Sequence, residues 1–137
     1  MNTILVGVDG SAEATAAAEF AAGLAAQTGA HLLLAYTEPI YPTDNPELRE
    51  RFSASERDFA EKMLTEAKAR HTRPGVAVES IVSQGDAAGQ LAARALEADI
   101  DLVVVGHRGR GAVKRMLLGS VADRLVQISP KPVLVVR

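Results

Sequence analysis

Five short apolar runs, at residues 3–8, 30–36, 76–82, 101–105 and 133–136, alternate with helix-forming segments along the whole chain. This alternation constrains the fold more than any other feature. In a run such as Thr3-Ile-Leu-Val-Gly-Val8 no charged or amide residue separates the apolar ones, so both faces of an extended backbone are apolar. A strand of that kind belongs in a sheet covered on both sides. Strands joined through helices pair in parallel, because a crossover must carry the chain back to the same end of the sheet. The pattern predicts an α/β fold: an open, doubly wound parallel sheet with helices on both faces, forming a single domain over residues 1–137.

The intervening segments carry their own punctuation. Residues 12–27 are rich in alanine, with Ser11 placed to cap the helix and Gly29 to end it. Pro39, Pro42 and Pro46 deny the next stretch a regular backbone, and Asp44 or Asn45 can open the helix that follows. Over residues 47–70, Phe52, Phe59, Met63 and Ala67 recur at helical spacing and mark a packing face. Pro74-Gly75 breaks the chain, Gly85-Asp86 introduces a helix to about residue 97, and Gly119-Ser120 opens one to about residue 128. Residues 37–45 follow the second strand at its C-terminal end. They are expected to be mobile without ligand and to form a lid, with Tyr41 as its only large apolar side chain.

Composition removes several classes of function. Hydrophobic residues at 47% and charged residues at 23% are ordinary globular usage. The balance of 17 acidic against 15 basic side chains gives a net charge of −2, which argues against duplex nucleic acid as a partner. Aromatic residues are 4% of the chain and tryptophan is absent, so no platform for stacking single-stranded bases is expected. Without cysteine there is no disulfide framework, zinc knuckle or thiol chemistry. The apolar run at 102–105 is far too short to span a bilayer, and no basic residue precedes the apolar start at residues 4–6. A cytoplasmic protein is expected.

In doubly wound sheets, ligands bind beyond the C-terminal ends of strands where the strand order reverses. Two strand ends are candidates here. The first carries Asp9-Gly10-Ser11; the fourth carries Gly106-His-Arg-Gly-Arg-Gly111. Gly106, Gly109 and Gly119 are spaced as G-x2-G-x9-G, with Ser120 next. Glycines let main-chain N–H groups approach a ligand, and a helix start favours phosphate. His107, Arg108, Arg110, Lys114 and Arg115 lie between them with no acid, which suits a polyphosphate. The same residues also fit a plain surface loop followed by a Ser120/Asp123 capping box. A P-loop, a GxGxxG turn and an acidic receiver site are all missing, the last because Ser83-Gln84-Gly85 ends the third strand. His31 reads as structural, His71 as a cap at a helix C-terminus, and His107 as a loop residue.

The sequence resembles the universal stress protein family from end to end. The residues that carry the likeness are Val8-Asp9-Gly10-Ser11, the strand at 32–36, Gly85-Asp86, Asp101-Leu-Val-Val-Val-Gly106 and Pro132-Val-Leu-Val-Val136. The G-x2-G-x9-G-[ST] signature marks the family's ATP-binding branch. The resemblance implies a five-stranded parallel sheet ordered 3-2-1-4-5. It implies that Asp9 contacts the ribose and the main chain near Tyr36 meets adenine. Gly106 and Gly109 would line ribose and phosphates, and Gly119 and Ser120 would hold the phosphates. The implied binding set is Asp9, Gly10, Ser11, Tyr36, Val105, Gly106, Arg108, Gly109, Gly119, Ser120 and Val121. Tyr36 stands where family members often carry a smaller apolar residue, so its ring is a candidate to stack on the base or narrow the pocket.

The implied ligand is ATP, or AMP or ADP, with Mg2+ or Mn2+ on the phosphates. No general base for hydrolysis is evident. A regulatory protein signalling by occupancy, through ordering of residues 106–118, is therefore the leading expectation. A slow hydrolase or phosphotransferase and a nucleotide-free interaction module are the alternatives. The apolar run Val133-Leu-Val-Val136 is expected at a sheet edge, where two copies would pair antiparallel as a homodimer.

Overall fold

The computed structural model describes residues 1–110 and 117–137. Its elements follow in chain order as β1 (Thr3–Gly7), α1 (Ala12–Thr28), β2 (His31–Glu38), α2 (Pro46–His71), β3 (Val78–Gln84), α3 (Ala87–Arg94), β4 (Ile100–Gly106), α4 (Ser120–Ile128) and β5 (Val133–Val136). The strands form one parallel sheet ordered β3-β2-β1-β4-β5, the order the resemblance implied.

Strand alternation builds two cores. Ile4, Val6, Leu32, Leu34 and Val104 turn to one face, under α1 and α2. Leu5, Leu33, Val103 and Val105 turn to the other, under α3 and α4. That double burial is why the runs lack polar alternation. Helix α1 meets the sheet through Ala17, Ala18, Ala21, Ala22 and Ala25, all buried, so its axis lies close to the strands. The approach is tightest where α1 begins: a Cβ built on Gly106 would stand 2.8 Å from the carbonyl of Glu13.

Several boundaries differ from expectation. Thr37 and Glu38 belong to β2, pairing with Ser83 and Gln84 of β3, and the Gly85 N–H donates to the Glu38 carbonyl at 2.9 Å. Pro46 starts α2 rather than prolonging the loop, because the first turn of a helix needs no N–H there. Asn45 caps it, accepting from the N–H groups of Glu47 and Leu48. Residue 76 sits in a turn against Arg73, so β3 begins two residues late. His71 is not a solvated cap: it is 1% exposed, with Nδ1 3.1 Å from Glu19 Oε2. Burial holds its pKa below the usual histidine value, against the opposing pull of Glu19.

Candidate functional site

β1 and β4 are neighbours, and the order of connection reverses between them. Beyond their C-terminal ends lies a cavity of ≈ 200 Å³. Its floor is small: Gly7 and Ala35 at the strand ends, Ala14, Ala87 and Ala122 near the starts of three helices. Of the residues the resemblance assigns to binding, Asp9, Tyr36, Val105, Gly106, Arg108, Gly109, Gly119, Ser120 and Val121 line it. Gly10 and Ser11 do not. Gly10 turns with φ +86° beneath Phe59 and lines a second cavity between α1 and α2. Ser11 caps α1, its Oγ accepting from the Ala14 N–H at 3.1 Å.

The motif glycines are explained by contacts within the chain. A Cβ on Gly109 would lie 2.5 Å from Asp9 Oδ2, and one on Gly119 would lie 3.0 Å from the Arg108 Cα and 3.3 Å from the His107 carbonyl oxygen. With Gly106 against Glu13, all three permit close approach of protein to protein. The expectation had been that their missing side chains make room for ligand. The Gly119 N–H is itself committed, donating to the His107 carbonyl at 2.6 Å.

The capping box is not formed. Gly119 occupies the N-cap position, no side chain caps α4 among the described residues, and Ser120 is its first helical residue. The first turn of α4, whose leading N–H groups have no partner within the helix, thus lines the cavity through Ser120, Val121 and Ala122 with no side-chain cap among the described residues.

Asp9 bridges the two strand ends. Its Oδ1 accepts from the Ser11 N–H at 2.9 Å and its Oδ2 from the Arg110 N–H at 2.7 Å. Arg110 then reaches across to α2: its guanidinium lies 4.3 Å from the centre of the Phe59 ring, and Nη2 is 3.5 Å from the Tyr36 hydroxyl. Tyr36 is buried, sets its ring edge against Phe59 and donates to Glu56 Oε2 at 2.7 Å. Burial, with the adjacent Glu56 carboxylate, pushes its pKa up to about 12. The ring therefore packs on α2 instead of standing free to stack on a base.

Tyr41 does not line the cavity. It stacks on Phe52, ring centres 4.1 Å apart, and donates to Glu56 Oε1 at 3.2 Å. With Thr37 and Glu38 in the sheet and Tyr41 docked on α2, the proposed lid is anchored at both of those points; Ile40, exposed and overlooked in the sequence, is its other large apolar side chain. His107 Nε2 accepts from Arg108 Nε at 3.0 Å, while its buried Nδ1 has no hydrogen-bond partner among the described residues.

Arg110, Thr37 and the small floor residues were not in the expected set. Arg110 could have been included from its place in the glycine run; Glu56 and Phe59 carry no signal beyond helical packing. Gly111, Lys114 and Arg115 lie outside the described residues, as do residues 111–116 of the 106–118 segment expected to order on binding. Among the described residues, no group of three or more His, Asp or Glu could hold a metal ion. A cation expected with a nucleotide would depend on the phosphates for its ligands. No described helix is long and apolar enough to cross a membrane.

Comparison with known proteins agrees with this architecture. The universal stress protein family matches residues 1–137. Universal stress protein YxiE of Bacillus subtilis is 33% identical over 146 aligned residues, covering 99% of each chain. The solved structure of UspA from Lactobacillus plantarum superposes with a TM-score of 0.86 at 26% identity, over 99% of this chain and 97% of that one. A universal stress protein solved in complex with cAMP gives a TM-score of 0.76 at 28% identity, over 99% and 97%.

Proposed function

The chain belongs to the universal stress protein family, and from that premise we propose that it is a cytoplasmic nucleotide-binding regulatory protein whose ligand is ATP or a related adenine nucleotide. The observation that carries the reading is the uncapped start of α4 opening onto the switch-point cavity, with Ser120 beside it. Phosphate is the natural occupant of such a position, because main-chain N–H groups and the helix dipole both favour an anion. The base and sugar would fill the small-residue floor between Gly7, Ala35 and Val105. The cAMP complex of a 28% identical relative supports this class of ligand.

The phosphate donors are the N–H groups of Ser120 and Val121 together with the Ser120 hydroxyl; the Gly119 N–H stays with His107. Arg108 lines the same cavity and supplies positive charge. In this reading occupancy is the signal, carried by the ligand's contacts with Ser120 and Val121. Isothermal calorimetry with AMP and ATP tests it. Ser120→Ala removes one hydroxyl bond to a charged group, worth about 1.5–3 kcal/mol, or roughly ten- to a hundredfold in affinity. A parent protein that binds neither nucleotide would refute the reading. Steady phosphate release lost in Ser120→Ala would replace it with a hydrolase.

The reading includes a homodimer. β5 lies at the sheet edge with Val133, Leu134, Val135 and Val136 half-buried, and among the described residues no strand pairs its outer side. Antiparallel pairing with a second copy would satisfy that edge and cover those side chains.

A further inference from the structure

We propose that the cavity between α1 and α2 is a second binding site, taking a compact, largely apolar molecule with one O–H or N–H donor, of which phenol is the simplest, and that Nε2 of His71 receives that donor. The cavity measures ≈ 140 Å³. Val8, Ala14 and Ala18 form its wall on the side of the sheet and α1, and Met63 and Ala67 form it on the side of α2. Val8 and Ala14 also line the switch-point cavity, so the two stand back to back. The second site is separate, and it stands whatever fills the first.

His71 is 1% exposed, and its ring forms part of the cavity wall. Its Nδ1 lies 3.1 Å from Glu19 Oε2. A carboxylate only accepts, so the ring proton sits on Nδ1 and the lone pair on Nε2. Burial keeps the ring in that neutral form against the pull of Glu19, and the charges of Arg70 and Arg73 act in the same direction as burial. Nε2 has no hydrogen-bond partner among the described residues. A polar atom on a side chain this buried is normally satisfied. Nor is Nε2 sealed in protein, as the unpartnered Nδ1 of His107 is, so a donor reaches it through the cavity. The other polar groups of the wall are already occupied or solvated: the Thr15 hydroxyl donates to the Ser11 carbonyl at 3.0 Å, and Glu66 and Arg70 are exposed. A ligand therefore meets apolar surface, the Met63 thioether and one inward acceptor. An aromatic ring suits the first two, since thioether sulfur favours ring contacts and a cavity of about 150 Å³ holds benzene. A hydroxyl on the ring supplies the donor.

Phenol and toluene, which differ by a hydroxyl for a methyl, test the site. Each is titrated into the protein carrying 15N-labelled histidine, at about pH 8, above the usual histidine pKa, with NMR as the readout. Phenol should bind saturably and move the His71 Nε2 resonance while those of His31 and His107 stay in place; toluene should leave all three unmoved. His71→Leu should weaken phenol relative to toluene by about two- to tenfold, the worth of one neutral hydrogen bond. Ala67→Phe, which fills the cavity with a ring of its own, should abolish phenol binding. Phenol that does not saturate, that leaves Nε2 unmoved, or that binds Ala67→Phe as tightly as the parent overturns the proposal. So does an unchanged phenol-to-toluene ratio in His71→Leu. If His71→Leu does not fold, the Nε2 shift in the parent and its loss in Ala67→Phe decide the matter.

Discussion

Gly106→Ala is expected to destabilise the protein in the complete absence of nucleotide. The added Cβ would lie 2.8 Å from both the carbonyl carbon and the carbonyl oxygen of Glu13 and 3.0 Å from its Cβ. Two of those three atoms are main chain in the first turn of α1, which cannot rotate away as a flexible side chain can. Either α1 lifts from the sheet or the end of β4 bends. α1 is bound to the strands by a row of buried alanines, so lifting it opens gaps along its length. Overpacking of this kind costs about 1–3 kcal/mol. For a domain of this size that corresponds to a melting temperature lower by about 4–12 °C. Thermal unfolding followed by circular dichroism, on ligand-free protein whose nucleotide content has been checked by mass, reads the effect directly. If the glycine served only to admit a ligand, the ligand-free variant would melt with the parent and differ only in binding. Coincident melting curves would refute the packing account of Gly106 and restore the ligand account.

Gly23→Ala should have the opposite sign. Its site is inside α1, the nearest atom to the new Cβ is Arg73 Nη1 at an ordinary 3.6 Å, and alanine is favoured over glycine in a helix by about 0.8–1 kcal/mol, so urea unfolding should shift to higher concentration. His71 should make stability fall with acidification. Its folded pKa lies below the usual value through burial, so the unfolded chain binds the extra proton first as pH drops below about 6.5. Its contribution is intact above that pH and lost below it, and His71→Asn should flatten the slope of urea midpoints between pH 7 and pH 5. Leu134→Lys places a charge on the half-buried edge strand, and sedimentation should show a parent dimer at micromolar concentration converted to monomer; a parent that is already monomeric removes the dimer from the proposal.

The order of elements was legible because each signal was local. Runs such as Leu102-Val-Val-Val105 and the alanine repeat of residues 12–27 state their own structure. The misreadings arose where a distant partner decided. Thr37 and Glu38 read as the start of a proline-rich loop, yet β3 offers Ser83 and Gln84 to pair with them. His71 has the sequence position of a cap, but α1 brings Glu19 to its Nδ1 and buries the ring. Ser120 and Asp123 have capping-box spacing, but Gly119, already bonded to His107, takes the cap position one residue earlier. Most of the cavity lining was named through the resemblance and the glycine spacing together. The contribution of α2 through Glu56 and Phe59 was not, since a helix that packs and a helix that packs beside a site have the same periodicity.

The glycine spacing falls at the rim of the switch-point cavity, where packing within the chain also calls for small residues. At mid-strand the sheet is filled by Ile4, Leu5, Leu33, Leu34, Val103 and Val104, all buried. One level higher, at the C-terminal ends, the paired positions are Gly7 and Ala35, and Gly106 ends β4 two residues beyond Val104, the partner of Val6. Gly7 is itself crowded, since a Cβ there would meet Leu91 at 2.9 Å and Val105 at 3.2 Å. The small residues are thus where neighbouring elements converge: Leu91 from α3 on Gly7, Glu13 from α1 on Gly106, Asp9 on Gly109. Convergence draws the helix starts toward the strand ends, and the alanines at 14, 87 and 122 keep those starts from filling the gap between them. The cavity follows from this falling side-chain volume along the strands, combined with the reversal of strand order between β1 and β4. Glycines spaced to let protein meet protein therefore also mark the rim of the cavity, and a motif read for ligand contact falls on that rim by way of the packing that builds it.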